Sequence, residues 1–352
     1  MKRLVTWATR YHFLSTHVIP ISLCLWIGTS QASGSASEVL ISAEPLAHTY
    51  SIVARDSVTG ELGVAVQSHW FAVGPVVAWA EAGVGAVATQ SLVNVSFGPL
   101  ALDMLKAGYA PEQALHGLLA SDAGADLRQV AIIDAQGRIA VHTGQRCIPE
   151  AGHQTGNGYS VQANLMFHDT VWRTMAHAFE TAEGDLAGRM LQTLEAAEAE
   201  GGDLRGRQSA ALLVVAAESS GRSWVDRQVD LRVDDAKEPL TELRRLLQIH
   251  RAYEHMNRGD EALGRGEVDL AMTEYAAAAG YYRDNPEIRY WQAVTMCGAG
   301  MLEEALPIFT ELFATDPHWR ILTPRLRQVG LLEVTDEELG RIVGSGGGQE
   351  ED

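Results

Sequence analysis

Thr49 is the residue in this sequence best placed to do chemistry. It heads a strand-like run, Thr49-Tyr50-Ser51-Ile52-Val53-Ala54. A threonine at the start of a chain can act as a nucleophile, because its own α-amino group, with a pKa of roughly 7.7–8, serves as the base for its hydroxyl. That arrangement needs neither a histidine nor a metal. It does need a donor for the developing oxyanion, and Asn164, at the end of a later strand-like run, is the candidate. Loss of one such donor typically costs about 10²–10³ in kcat. The same threonine also has a purely structural reading, since threonine is a favoured strand residue.

Other chemistries find no support in the residues. There is no G-x-S-x-G elbow, no P-loop, no H-E-x-x-H and no nucleotide-binding G-x-G-x-x-G in a strand–helix context. The 12 histidines are scattered; His168 and His177 stand near the ends of one expected helix without metal-ligand spacing. Neither a metal nor a cofactor is expected. The formal net charge of −18 repels nucleic acid, and no basic stripe offsets it. The three cysteines, Cys24, Cys147 and Cys297, form neither a disulfide framework nor a zinc pattern.

Alternating and continuous apolar runs set out the elements that must position Thr49. Residues 49–67 read as a β-hairpin, turned at Asp56-Ser57-Val58-Thr59-Gly60. A small-residue strand follows at 84–89. Two helices come next, over 96–106 and from Pro111, each marked by proline near its start. Strands return at 130–133, 139–141 and 159–163, and helices at about 168–182 and 185–200. A buried strand at 210–216 and another at 229–233 close the series. Strands, a helix pair, strands, a helix pair and strands again predict an α+β fold, an αββα sandwich rather than a doubly wound sheet.

From Leu240 the pattern is helical. Gly266 and Gly300, Val268 and Leu302, Ala271 and Ala305, and Tyr275 and Phe309 are each offset by 34 residues. That period, with small and aromatic residues at packing positions, predicts a tetratricopeptide-like all-α segment. Two such units need a neighbour to cover them, and the helix over 240–258 and a last helix around 336–343 are placed to do so. Thr335 and Glu338 form a capping-box pattern for that last helix.

The first residues read as an export signal: Lys2, Arg3 and Arg10, then an apolar stretch from Val18 to Ile27, then small residues to Ala36. The stretch is too short to span a bilayer comfortably, so no stable membrane span is expected. The expected organisation is a signal peptide over 1–36 and a linker or pro-segment over 37–48. A sandwich domain over 49–239, a helical domain over 240–343 and a disordered tail over 344–352 follow. Localisation would be periplasmic or extracellular.

Residues 49–247 resemble the domain-of-unknown-function 1028 (DUF1028) family. The carrying motifs are Thr49-Tyr50-Ser51-Ile52-Val53-Ala54, Ala82-Gly83-Val84-Gly85-Ala86-Val87-Ala88-Thr89-Gln90, Ala151-Gly152-His153 and Gln162-Ala163-Asn164. They continue with Gly201-Gly202-Asp203 leading into Arg205-Gly206, with Gln208-Ser209-Ala210-Ala211, and with Asp230-Leu231-Arg232-Val233-Asp234-Asp235. The resemblance implies an Ntn-hydrolase-like αββα sandwich. It supplies no reaction, because fold does not imply function. By analogy with the wider fold, the chain is expected to be an amidohydrolase acting on a small amide or peptide. Thr49 would be its nucleophile, Asn164 its oxyanion donor, and Ser209 and Asp203 would line the pocket. The bond before Thr49 must then be cut, and His48 is not the small residue that a signal peptidase prefers, so a second cut is needed, autocatalysis being one route to it. Asp203 and Arg205 also have a structural reading as an ion pair at a helix exit. The alternative function is a non-catalytic binding or assembly protein whose helical repeats hold a protein or envelope partner. A homodimer is expected from fold analogy.

Overall fold

The hairpin that carries Thr49 is closed by local polar chemistry. Asp56 Oδ1 accepts hydrogen bonds from the backbone N–H groups of Val58 (2.7 Å) and Thr59 (2.9 Å), and Gly60 takes the left-handed conformation (φ 78°) that ends the turn. The computed structural model describes residues 46–283 and 285–345. All of them fall within one unit, Ala43–Asp352. The expected export signal and the end of the tail lie outside the described residues.

The first part of the chain runs through β1 (Leu46–Ala47), β2 (Thr49–Arg55), β3 (Leu62–Ser68), α1 (Gly74–Val77), β4 (Ala78–Glu81) and β5 (Gly85–Leu92). The pair α2 (Phe97–Lys106) and α3 (Pro111–Ala120) follows, then β6 (Arg128–Asp134), β7 (Ile139–Thr143), β8 (Gly152–Gly156) and β9 (Tyr159–Ala163). The pair α4 (Val171–Thr181) and α5 (Leu186–Ala199) leads to β10 (Ser209–Val215), the short α6 (Ser223–Asp226) and β11 (Arg227–Val233). Every strand pairing is antiparallel. One sheet has the order β11-β10-β3-β2-β9-β8; the other runs β1-β5-β6-β7, with β4 also on β5.

Alternation along the strands explains the layering. In β2, Tyr50, Ile52 and Ala54 point to a core built with α4 and α5, while Val53 points to the other sheet. In β5, Ala86 and Ala88 face the first sheet, and Val87 packs with Phe97, Leu102 and Leu115 of α2 and α3. The layers therefore run helix, sheet, sheet, helix. Gly63 lets α5 close on its sheet, because any side chain there would strike Met190.

The helical region is continuous with the sandwich. Helix α7 (Pro239–Gly264) buries Leu240, Leu243 and Leu247 in the α4–α5 core, and its second half packs Ala252, Met256 and Ala262 against the helices that follow. These are α8 (Val268–Tyr281), α9 (Pro286–Gly298), α10 (Leu302–Thr315), α11 (His318–Gln328) and α12 (Asp336–Gly344). Helices α8 and α10 are offset by 34 residues at both ends. Ala271 and Ala305, and Tyr275 and Phe309, are fully buried at equivalent positions. Thr335 and Glu338 form the capping box of α12. The mixed α+β order with helices after it is thus as expected. Residues 46 and 47 are not linker, however, but a strand added to the second sheet. Among the described residues, no helix is long and apolar enough to cross a membrane.

Candidate functional site

Thr49 lies where the chain crosses from one sheet to the other. β1 pairs with β5, Leu46 opposite Leu92 and Ala47 opposite Ser91; one residue later, β2 begins in the other sheet, with Thr49 opposite Ser68. His48 is the bridge. Thr49 is fully buried, and its hydroxyl donates to the Ala47 carbonyl (2.7 Å).

The carbonyl of His48, the residue before Thr49, is held by two side-chain donors. Ser68 Oγ donates to it at 2.7 Å and Arg205 Nη2 at 2.7 Å. Arg205 is itself fixed, because its Nε and Nη2 donate to the two carboxylate oxygens of Asp203 (3.0 and 2.7 Å). The Asp203 carboxylate is buried and also accepts from the His69 backbone N–H (3.3 Å). Gly201 and Gly202, both at positive φ, turn the chain out of α5. Asp203 can then bridge to Met166, and Leu204 N–H can donate to the Leu165 carbonyl. The expected Asp203–Arg205 pair forms, and it is aimed at the bond before Thr49.

Asn164 continues from β9 and touches the same residues. Its backbone N–H donates to the Thr49 carbonyl (3.1 Å), and its Nδ2 donates to Gln129 Oε1 (2.9 Å) and more distantly to the Thr49 carbonyl (3.4 Å). Its Oδ1 lies 2.8 Å from His48 Nδ1. An amide oxygen can only accept, so His48 carries its proton on Nδ1. Burial lowers the pKa of this imidazole and the nearby Arg205 cation lowers it further, against the opposing Asn164 hydrogen bond and the Asp203 charge. Asn164 is therefore in the site, but the donors on the His48 carbonyl are Ser68 and Arg205.

Behind these groups lies a buried amide network. Gln129 Nε2 donates to Thr143 Oγ1 (2.9 Å) and to the carbonyls of Gly152 (3.1 Å) and Ala163 (2.9 Å); its Oε1 accepts from Gln90 (2.7 Å) and Asn164. Gln90 also donates to the Thr49 carbonyl (3.2 Å) and accepts from Ser51 (2.6 Å), which accepts from Gln162 (2.6 Å). Period-2 alternation could have shown Gln90 and Gln129 as inward-facing, because they stand two residues from Ala88 and Ala131, apolar core residues of their own strands; Gln162, flanked at that spacing by Ser160 and Asn164, gives no such signal. Ser209 is buried opposite Ser68, but its hydroxyl serves the 70–73 loop, donating to the Trp70 carbonyl and accepting from Val73 N–H (3.0 Å). Among the described residues, four that are not glycine have positive φ: Ala72, Ser91, Glu150 and Leu165. Such conformations cost of order 1–3 kcal/mol each and gather at functional sites; here Ser91 follows Gln90 and Leu165 follows Asn164. Among the described residues, no group of His, Cys, Asp and Glu could hold a metal ion.

A family model described as "Family of unknown function (DUF1028)" matches residues 49–243. A solved crystal structure, of protein SPO2555 from Silicibacter pomeroyi, a DUF1028 protein, is similar over 57% of this chain and 85% of its own, at 30% identity and a TM-score of 0.52. No curated protein matches the chain.

Proposed function

This chain belongs to the DUF1028 family, whose function is unknown, so from its own residues we propose an Ntn-type amidohydrolase that frees Thr49 by cutting the bond before it. The single observation that carries the reading is the His48 carbonyl, gripped by Ser68 and Arg205 beside the Thr49 hydroxyl. Polarised donors fixed in advance are what acyl transfer requires. Attack closes a five-membered ring: Thr49 Oγ bonds to the His48 carbonyl carbon, the C–N bond to Thr49 breaks, and the hydroxyl proton ends on the freed amine. Water then adds to the ester, leaving a carboxylate on residue 48 and restoring the hydroxyl. In the cut chain the amine serves as base, and Ser68 and Arg205 hold the carbonyl of an incoming amide. Asn164 and Gln129 position the strand ends around them. The helix–sheet–sheet–helix layering supports an Ntn-type sandwich, and export through the leader is part of the same reading.

A second reading, a binding or assembly protein, is favoured by the complete burial of Thr49 and by the helices beyond residue 243, where the family match ends. In that reading the 34-residue period marks a tetratricopeptide-like array holding a peptide or protein partner. Hydrolysis separates the two. Purified protein is incubated with a panel of small amides and short peptides, beside Thr49→Ser and Thr49→Ala. Turnover that survives in Thr49→Ser and vanishes in Thr49→Ala supports the hydrolase; turnover unchanged in Thr49→Ala sinks it.

A further inference from the structure

The three residues before Thr49 occupy the place of the acyl half of a substrate, and they lie there as an extended peptide. Ala47 sits opposite Ser91 on the β5 edge, beyond the stretch of β5 that β4 covers. Its side chain is fully buried in the apolar core between the sheets, where there is room for a methyl group. The His48 imidazole, 3% exposed, donates to Asn164 Oδ1, and its carbonyl lies on Ser68 and Arg205. Backbone pairing with a sheet edge, combined with pockets for particular side chains, is how proteins read extended peptides.

We infer that the substrate class is an extended peptide, bound by strand addition to β5 at Ser91 and Leu92. Its acyl side carries a neutral hydrogen-bond-donating side chain next to the scissile carbonyl and a small apolar residue before that. This rests on the reading of Thr49 as nucleophile. Release of residues 46–48 opens the β5 edge, the Asn164 amide and the Arg205 guanidinium together, so the leader segment is both the first substrate and the plug of the site.

The test uses the full chain with an enteropeptidase recognition sequence, four aspartates and a lysine, in place of residues 44–48. Cutting it leaves Thr49 first whether or not the natural chain cleaves itself. Acetyl-Leu-Ala-His as the free acid is titrated into the cut protein by calorimetry, beside acetyl-Leu-Leu-His, acetyl-Leu-Ala-Glu and free histidine. The expected result is saturable binding of the first at least ~10-fold tighter than the others, about 1.4 kcal/mol, and none to the uncut Thr49→Ala chain. No saturable binding of the first, or equal affinity for free histidine, overturns the inference. If the cut protein does not stay folded, the same selectivity is read by hydrogen exchange at residues 88–92 of the uncut Thr49→Ala chain. Ala47→Leu should then raise exchange at least ~10-fold and Ala47→Ser should not; equal exchange overturns it. Because the readout is binding, a protein that hydrolyses small amides without taking the peptide sinks this inference alone. One that takes the peptide and hydrolyses nothing sinks only the hydrolase.

Discussion

The space between the two sheets has two unlike halves. Toward the hairpin turn it is filled by Val53, Leu62, Val64, Ala86, Ala131 and Ile133, all fully buried. Toward Thr49 the same strands present Ser51, Ser68, Gln90 and Gln129, joined by Gln162 of β9 and by Asn164 just after it, equally buried but polar. The apolar half needs only shape, and its substitutions cost what the lost packing costs. The polar half must satisfy every donor and acceptor, since an orphaned buried group costs about 1–3 kcal/mol. A fold selected for stability alone gains nothing from that arrangement, because apolar residues of similar size would serve as well or better. The polar half is explained by what it holds still: the His48 carbonyl and Thr49.

The largest effect is expected at Thr49. Thr49→Ala should lower the rate of cleavage before residue 49 by more than about 10³-fold, read by intact mass, while the far-ultraviolet circular dichroism stays that of the natural chain. Arg205→Lys comes next. A lysine cannot both fork onto Asp203 and reach the His48 carbonyl, so cleavage should slow by about 10–10³-fold, with the far-ultraviolet circular dichroism unchanged.

The third effect contrasts the halves directly. Gln129→Leu removes the shortest acceptor of Gln90 and of Asn164 and the donor to Thr143, Gly152 and Ala163, and should cost about 3 kcal/mol or more by urea unfolding, against about 0.5–1.5 for Ile133→Val. A Gln90–Gln129 double-mutant cycle should show coupling above about 0.5 kcal/mol. If Gln129→Leu costs no more than Ile133→Val, the polar half is not a tightly coupled unit.

The smallest effect is on pH. The His48 pKa is lowered in the folded chain, so as pH falls through roughly 6.5 the unfolded chain takes up its proton first. Stability of the uncut chain is therefore lost from about that pH down to the folded value and is flat below it. His48→Asn should flatten this part of the melting-temperature profile between pH 7.5 and 5.

Thr49 was legible from its place at the head of an apolar strand, and most strands and helices from period and punctuation. Asp203 and Arg205 were legible as a pair, though not their target. β1 was not, because two residues carry no alternation, and β8, Gly-His-Gln-Thr-Gly, lacks the β-branched pattern of a strand that packs on both faces. Ser68 was hidden for another reason. Its role depends on His48 meeting it across the hairpin register, which sets residues 20 apart in sequence side by side.

Everything proposed for the site depends on the chain cutting itself between His48 and Thr49. Freshly purified full-length protein and its Thr49→Ala variant are followed over time by intact-mass analysis and N-terminal sequencing. A fragment beginning at Thr49 that accumulates in the natural chain at a concentration-independent rate, and never in the variant, is the predicted result. A natural chain that keeps residues 46–48 attached throughout, or a variant that is cut at the same bond, would contradict it.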